Sequence, residues 1–211
     1  MKKVAILFGL LLGWTQTTWS AGASLVGDAE AGKNNTAVCS ACHGADGNSA
    51  AATFPKLAGL GEKYLLKQMQ DIRDGARPVP TMVGQLDGKS DQELADMAAF
   101  YAGQARSGAQ ADPDKLALGE KVYRSGVAER NVAACTACHS PRGKGNAPAG
   151  FPALGGQHAE YIAAQLRAYR QGYEDPAGRT NDGDTKIMRT TAFGLSDLEI
   201  EAVASYASGL Q

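Results

Sequence analysis

The chain has 211 residues, of which 44% are apolar and 7% aromatic, and its formal net charge is −1. At roughly 100–200 residues per domain, this length accommodates one or two domains. Lys2 and Lys3 lie in a segment that we expect to be removed, so the net charge of the mature chain is near −3 (21 Lys and Arg less two, against 22 Asp and Glu). This charge excludes, as a default, a basic protein that binds nucleic acid or a charged membrane surface.

The first 23 residues have the layout of a secretory signal peptide. Two lysines are followed by an apolar run from Val4 to Trp14, a polar stretch, and small residues that end at Ala23. The apolar run is too short for a membrane-spanning helix, which takes about 20 apolar residues. We therefore predict cleavage close to Ala23 and export of the mature chain. An uncleaved N-terminal anchor is the alternative.

Beyond this segment the chain consists of two copies of one sequence pattern. The copies share a Cys-x-x-Cys-His motif, a Phe-Pro-x-Leu segment and a Ser-Asp-x-Glu segment in the same order, and further pairs lie between them: Tyr64 and Tyr161, Gln68 and Gln165, Arg73 and Arg170, Gly75 and Gly172. Self-similarity of this kind indicates repeated structural units. We predict a signal peptide over residues 1–23 and two domains over residues 24–108 and 109–211. Gln104 to Asp114 has the composition of a linker between them.

The first two long helices of each module are predicted from caps and periodicity. Asp28 in the first module, and an Asp-Pro pair ending at Pro113 in the second, are typical of a helix N-terminus. Apolar residues at helical spacing predict a helix over Glu62–Asp74, stopped by Gly75. The same pattern recurs in the second module before Gly172.

The last helix of each module is predicted from a capping box, Ser90-x-x-Glu93 in the first and Ser196-x-x-Glu199 in the second. No segment shows the alternation of a strand, so the predicted fold class is all-α, with two small tandem domains. The intervening loops are long and each predicted core is thin, which ordinarily argues against a stable domain. A large cofactor bound in each module would account for both features.

Each Cys-x-x-Cys-His motif is the attachment signature of c-type haem. Two thiols on one helical turn reach the two vinyl groups of a porphyrin, and the adjacent histidine projects to the iron. The predicted attachment residues are Cys39 and Cys42 for one haem and Cys135 and Cys138 for the other, and the predicted iron ligands are His43 and His139.

Three other kinds of site could use the same four cysteines. A zinc site would have to join two pairs that are far apart in sequence and would leave the histidines unexplained. A thioredoxin-like redox motif requires a βαβ setting, which is missing. Two disulfides are possible for four cysteines of an exported chain. We therefore predict two covalently attached haem c groups.

The second axial ligand of each iron determines what the haem can do. Outside the motifs the chain has one histidine, His158, near a predicted helix start, and it has no fifth cysteine. When the modules are aligned on their capping boxes, Met82 and Met188 correspond, since each lies eight residues before its serine. Pro78 and Pro80 stiffen the segment before Met82, so we expect an extended loop that holds its thioether over the iron.

The remaining methionines are predicted to be core residues. Met69 and Met97 fall on helices, which is the usual place of methionine in a core. Met188 lacks neighbouring prolines and follows a polar insertion, yet it is the only methionine of the second module. Met82 and Met188 are therefore the predicted sixth ligands.

These features resemble the cytochrome c4 family, which consists of exported di-haem c-type cytochromes of bacteria. The resemblance extends over about residues 25–211 and rests on the two motifs with Met82 and Met188, the Phe-Pro-x-Leu segments and the helix from Asp91. It implies two small domains related by a pseudo-two-fold axis, with the haem edges facing each other across the interface. It also implies that a carbonyl at a position such as Pro55 accepts a hydrogen bond from the haem histidine.

The resemblance implies one-electron transfer in the periplasm, from a donor such as a cytochrome bc complex toward a haem-copper terminal oxidase. Many members of the family associate loosely with the membrane. With both axial positions filled, no small-molecule substrate turns over at the iron, so the chain is not expected to be an enzyme.

Two alternatives keep the haems but change the role. The chain could be the di-haem electron-accepting subunit of a flavocytochrome sulfide dehydrogenase, in which case it would form a stable complex with a flavin-containing chain. It could also be a catalytic di-haem enzyme, such as a thiosulfate dehydrogenase or a peroxidase. That role requires an open or easily vacated iron, and the correspondence of Met82 with Met188 argues against it.

Overall fold

The computed structural model describes residues 25–211; the predicted signal peptide, residues 1–23, lies outside the described residues. The described part contains nine α-helices: α1 (Ala29–Asn35), α2 (Ser40–His43), α3 (Glu62–Arg73), α4 (Asp91–Ala102), α5 (Leu116–Ser125), α6 (Thr136–His139), α7 (Ala159–Glu174), α8 (Ile187–Phe193) and α9 (Asp197–Ser208). Extended pairing within residues 25–211 is limited to two isolated bridges. The all-α prediction is confirmed. None of these helices is long and apolar enough to cross a membrane.

The two modules use the same helix arrangement. In the first, α1 and α3 pack against α4; in the second, α5 and α7 pack against α9, and α8 packs against α7. The motif helices α2 and α6 each follow the first helix of their module, as the repeat predicts.

The predicted caps are present. Asp28 accepts hydrogen bonds from the N–H groups of Glu30 (2.9 Å) and Ala31 (3.2 Å) at the start of α1. Both capping boxes are complete, with Ser90 opening α4 and Ser196 opening α9. These contacts satisfy N–H groups that have no partner inside the helix.

Three elements differ from the sequence prediction. Pro113 opens a 3-10 turn, Pro113–Lys115, and α5 begins only at Leu116. Helix α7 continues to Glu174, two residues beyond Gly172, because Gly172 packs against the Arg179 backbone instead of ending the helix. Helix α8 was not predicted, and it replaces part of an expected loop.

A glycine at one helix crossing in each module lets two backbones touch. A Cβ on Gly32 of α1 would lie 2.0 Å from the carbonyl oxygen of Asp96 in α4, and a Cβ on Gly119 of α5 would lie 2.3 Å from the carbonyl oxygen of Ala202 in α9. Real Cβ atoms do not approach a backbone so closely, so these crossings require glycine.

Replacing Gly119 by alanine is therefore expected to destabilise the protein by about 1–3 kcal/mol, the usual cost of overpacking. Helix propensity alone predicts that this substitution would increase the stability by roughly 1 kcal/mol. Denaturant unfolding of the holoprotein measures the difference. Ser125→Ala, at the exposed end of the same helix, is the control and should change stability by less than about 0.5 kcal/mol. A Gly119→Ala protein as stable as the parent would contradict the crossing geometry.

The apolar cores are small. The second module has one cluster, which includes Ile200, whereas the first has two separate clusters, one around Leu65 and one around Leu94. Cys39 and Met69 border both clusters of the first module and also line a large cavity. The thin cores thus surround space that protein atoms do not fill.

The segment between the modules is anchored to both of them. Arg106 donates from Nε to the carbonyl oxygen of Ala58 (2.7 Å) and from Nη1 to that of Ala153 (3.0 Å). Lys56 donates from Nζ to the carbonyl oxygens of Ser107 (3.3 Å) and Gly108 (3.4 Å). These bonds hold the linker against the Pro-x-Leu segments of both modules.

Candidate cofactor site

A single cavity of about 1470 Å³ extends through both modules. Its lining is mostly apolar and is drawn from nearly every helix of the fold. All eight predicted attachment and ligand residues line it: Cys39, Cys42, His43, Met82, Cys135, Cys138, His139 and Met188. The structure therefore brings together the residues that the sequence singled out, in one enclosure shared by the two modules.

The two motif histidines are held in the same way. His43 and His139 are each 7% exposed. Their Nδ1 atoms lie 2.9 Å and 2.8 Å from the carbonyl oxygens of Pro55 and Pro152. Since a carbonyl can only accept, Nδ1 carries the hydrogen and Nε2 keeps its lone pair. Burial lowers the pKa of both imidazoles, against the opposing effect of the carbonyl bonds. Each ring is thus a neutral, oriented imidazole whose Nε2 could bind a metal.

The cysteines of each motif lie on one short helical turn. Cys39 and Cys135 immediately precede α2 and α6, and the N–H of each histidine donates to the carbonyl oxygen of that cysteine (2.9 Å in both). All four thiols are free. Within residues 25–211 no group of three or more His, Cys, Asp or Glu could hold a metal ion by itself, so the structure gives no support to a zinc site between the motifs.

The methionines lie on short helical elements and not on extended loops. Met82 ends a 3-10 turn, Pro80–Met82, and Met188 lies in the first turn of α8. Both line the cavity and pack against the core of their own module. Met69 and Met97 also border the cavity, and Met97 is 2% exposed in the core, as predicted. The predicted extended loop at Met82 is therefore wrong in conformation, although its placement at the cavity is correct.

His158 is the N-cap residue of α7, as its position predicts, and it does not line the cavity. Its Nε2 lies 3.0 Å from the hydroxyl oxygen and 3.1 Å from the carbonyl oxygen of Ser49 in the first module. Its ring therefore contacts the other domain, which the sequence did not indicate.

Sequence reasoning missed two buried arginines between the modules. Arg77 is 8% exposed; its Nη1 donates to the side-chain oxygen of Gln68 (3.0 Å), and its Nη2 donates to that of Gln165 (3.1 Å) and to the hydroxyl oxygen of Tyr161 (2.9 Å). Residues of both modules thus share one guanidinium.

Arg179 is 7% exposed and uses the same two glutamine oxygens. It donates to Gln165 (2.6 Å) and to Gln68 (2.7 Å), and its guanidinium lies 4.3 Å from the centre of the Tyr169 ring. Gln68 and Gln165 are a pair that recurs in the two modules, so the two arginines form a nearly symmetric arrangement around the interface.

These two charges have no counterion in the described part of the chain. No carboxylate of residues 25–211 forms an ion pair with Arg77 or Arg179. Burial raises the pKa of the Tyr64 hydroxyl, whereas the charges of Arg179 and Arg77 beside it lower that pKa, and the net direction is downward. Buried charges are normally paired because burial is costly otherwise.

The donor set fits two porphyrins that carry carboxylates. The cavity is large and mostly apolar, and each module contributes two free thiols beside an oriented imidazole. Two guanidinium groups that have no carboxylate partner among residues 25–211 line the same cavity. Thiols and imidazoles match the thioether and iron chemistry of c-type haem, and the guanidinium groups match the carboxylates of its propionates.

The chain is similar to known proteins over its whole length. The family model described as cytochrome c matches residues 29–103 and 116–211. The cytochrome c4 of Pseudomonas aeruginosa is 53% identical over 210 residues, which cover 100% of both chains. A thiosulfate dehydrogenase electron acceptor of Stutzerimonas stutzeri is 40% identical over 188 residues, 84% of this chain and 81% of that protein. The crystal structure of reduced recombinant cytochrome c4 from Pseudomonas stutzeri matches with a TM-score of 0.84 at 53% identity, covering 88% of this chain and 100% of that one.

Proposed function

The chain belongs to the cytochrome c4 family, and from this membership we propose that it shuttles single electrons in the periplasm between respiratory-chain partners, toward a terminal oxidase. As a member of this family it is a di-haem electron-transfer protein with two covalently bound haem c groups. One observation carries the proposal: both Cys-x-x-Cys-His helices, with one methionine each, line a single cavity.

We assign the residues that hold the haems by their positions in that cavity. Cys39 and Cys42 would form the thioethers of the first haem, and His43 and Met82 would bind its iron. Cys135, Cys138, His139 and Met188 would have the same roles for the second haem. We place the two domains at residues 24–108 and 109–211, with their boundary in the anchored linker, after a signal peptide of residues 1–23 that is cleaved.

The haem supplies a reversible one-electron couple, and the chain determines its properties. Pro55 and Pro152 orient the ligand imidazoles through their carbonyl oxygens. The mostly apolar lining would limit the access of water to the haems, and a thioether ligand favours the reduced iron. Arg77 and Arg179 would hold the propionate carboxylates at the interface. A histidine and a methionine on each iron would leave no position for a small molecule, and from this we infer that the protein is not an enzyme.

The partners follow from the same proposal. A cytochrome bc complex or a similar donor would deliver electrons, and a haem-copper terminal oxidase would accept them, with loose association at the membrane surface. The near-neutral charge of the mature chain supports brief, weak docking over strong electrostatic steering.

A potentiometric titration of the purified protein, followed by visible spectra with and without carbon monoxide, tests the proposal. We expect two low-spin haems at positive potential, a methionine–iron charge-transfer band and no carbon monoxide binding. A haem of low potential, or one that binds carbon monoxide in the unmodified protein, would overturn at least one methionine assignment and direct attention to a catalytic site.

A second candidate function is service as the electron acceptor of one dedicated dehydrogenase. The 40% identical relative, a thiosulfate dehydrogenase electron acceptor, favours it, and the di-haem subunit of a flavocytochrome sulfide dehydrogenase is the related alternative. Size-exclusion chromatography of the native protein separates these roles. A stable complex with a flavin-containing or haem-containing enzyme chain supports a dedicated acceptor, whereas elution as a free protein supports a shuttle.

A further inference from the structure

We propose that Gln157 of the second module is a positioning residue that tunes the potential of the first haem by polarising the peptide that holds His43. The inference rests on the proposed assignment of His43 as an iron ligand. It adds a residue that belongs to neither motif and that acts across the domain interface.

The peptide group between Pro55 and Lys56 connects the two residues. Its carbonyl oxygen accepts the hydrogen bond from Nδ1 of His43 (2.9 Å), and its N–H, on Lys56, donates to the side-chain oxygen of Gln157 (2.9 Å). These are two ends of one resonant amide. Because hydrogen bonds in a chain polarise one another, a bond accepted from the N–H makes the carbonyl a stronger acceptor.

Gln157 is fixed in the position that this role requires. It is 3% exposed. Its Nε2 donates to the carbonyl oxygen of Lys56 (2.8 Å), and its backbone carbonyl accepts from the hydroxyl of Ser208 (2.5 Å). The N–H of His158 adds a second donor to the same side-chain oxygen (3.0 Å). The amide therefore contacts the Lys56 backbone in both directions and has little freedom to turn away.

The second module lacks this device. Ala153 corresponds to Lys56, and His139 donates to the carbonyl oxygen of Pro152 in the same way as His43 does to that of Pro55. Among residues 25–211, however, no group accepts a hydrogen bond from the N–H of Ala153. The first-module residue that corresponds to Gln157 is Leu60, which has no polar side-chain atom. The two haem histidines thus differ in what lies behind their carbonyl acceptors.

The direction of the effect follows from the ligand chemistry. A stronger acceptor at Nδ1 gives the imidazole more imidazolate character, which raises its basicity toward the metal and favours the ferric iron. Gln157 should therefore lower the potential of the first haem relative to a chain without it. The potential of the first haem therefore depends on a contact with the second module, and among residues 25–211 the second haem has no corresponding contact.

Gln157→Leu in the full-length holoprotein, with Gln157→Met as a second variant of closer volume, tests the inference. We expect a rise of about threefold in the reduced-to-oxidised ratio of the first haem at fixed applied potential, because the bond from Nδ1 of His43 loses a cooperative strengthening of roughly 10–30%. A threefold change is about 28 mV at 59 mV per tenfold. The second haem should be unchanged. In the NMR spectrum, the Nδ1–H resonance of His43 should move upfield, whereas that of His139 should stay in place.

Lys63→Arg is the matched control. Lys63 is exposed, lines the same cavity, and donates from Nζ to the carbonyl oxygen of Pro148 across the same interface (3.3 Å). Because arginine keeps the positive charge, this variant should leave the difference between the two haem potentials unchanged. Equal shifts of both haems in Gln157→Leu, or no shift of either, would overturn the inference.

The proposed function fails in a different way. If the His43 resonances of the unmodified ferric protein show no hyperfine shift, His43 is not a ligand and the ligand assignment is wrong. If those resonances are hyperfine-shifted but Gln157→Leu and Gln157→Met leave them and the first potential in place, only the role of Gln157 is wrong.

Discussion

Met82→Ala is expected to open the first iron to carbon monoxide, and Met188→Ala is expected to do the same for the second. Each variant should convert about half of the haem absorbance to a carbon monoxide-bound spectrum, since each removes one of two proposed thioether ligands. The potential of the altered haem should fall by on the order of 0.1 V or more, because axial ligand identity spans about 0.8 V across haem proteins.

Loss of packing must be separated from loss of the ligand. Met82 and Met188 are half-buried against the apolar cores. Truncating a fully buried methionine to alanine costs about 2–5 kcal/mol, so these truncations should cost less than that. Met82→Leu and Met188→Leu keep most of the volume but have no sulfur, so they should lose the methionine–iron charge-transfer band while remaining folded.

Met97→Leu is the matched control, because Met97 lines the same cavity and is 2% exposed in the core. It should keep the charge-transfer band and exclude carbon monoxide, with a stability change below about 1.5 kcal/mol. If both Met82 variants kept the parent spectrum in the presence of carbon monoxide, another side chain would be the sixth ligand of the first haem.

Local rules accounted for most of the helices and for the placement of the candidate site. Residues close in sequence determine the capping boxes at Ser90 and Ser196 and the cap at Asp28, so these helix starts could be predicted. The motifs were equally predictable, because the spacing of two thiols and an imidazole on one helical turn is set by the haem that they bind.

Helix α8 could not be predicted in the same way. It begins after Lys186, whose φ is +49°, and no side chain at that position caps it. The N–H of Arg189 is instead capped by the Asp182 carboxylate (2.9 Å), which also forms an ion pair with the Arg189 side chain (2.6 Å). Since the capping residue lies seven positions away, a rule based on adjacent residues leaves Met188 in a loop.

The hydrogen bonds of the two arginines between the modules could not be predicted from the sequence either. The arginines lie on loops of different length, and the bonds of Arg77 to Tyr161 and of Arg179 to Gln68 join residues 84 and 111 positions apart. The repeat identified Gln68 and Gln165 as corresponding residues. It did not indicate that their side-chain oxygens meet at one place.

Arg77→Gln is expected to lower the potentials of both haems and to destabilise the holoprotein. A cation on the cavity wall, on the order of 10 Å from a bound group, contributes about 1.7 kcal/mol at an effective dielectric constant of 20, which corresponds to roughly 70 mV at 59 mV per tenfold. Loss of one partner of a buried ion pair costs about 3–5 kcal/mol. Potentiometric titration and denaturant unfolding measure the two effects.

Arg73→Gln is the matched control, because Arg73 is a first-module arginine whose partners, Asp74 and Asp91, are exposed carboxylates. Exposed ion pairs contribute about 0–1 kcal/mol, so this variant should differ little from the parent in stability and in both potentials. If Arg77→Gln behaved like Arg73→Gln, the buried guanidinium would have no bound carboxylate to stabilise, and the assignment of propionates to this interface would be wrong.

The two arginines should also act as one unit, because each donates to the side-chain oxygens of both Gln68 and Gln165. Residues that share partners show interaction energies of about 0.5–3 kcal/mol in double-mutant cycles. The free energy of unfolding lost in Arg77→Gln/Arg179→Gln should therefore differ from the sum of the single losses by an amount in that range.

The site shared by the two arginines predicts that the potentials of both haems shift together, whereas the contact of Gln157 with one module predicts that the potential of the first haem shifts alone. Comparing the two sets of variants separates a field that acts on the whole interface from a hydrogen bond that acts on one ligand.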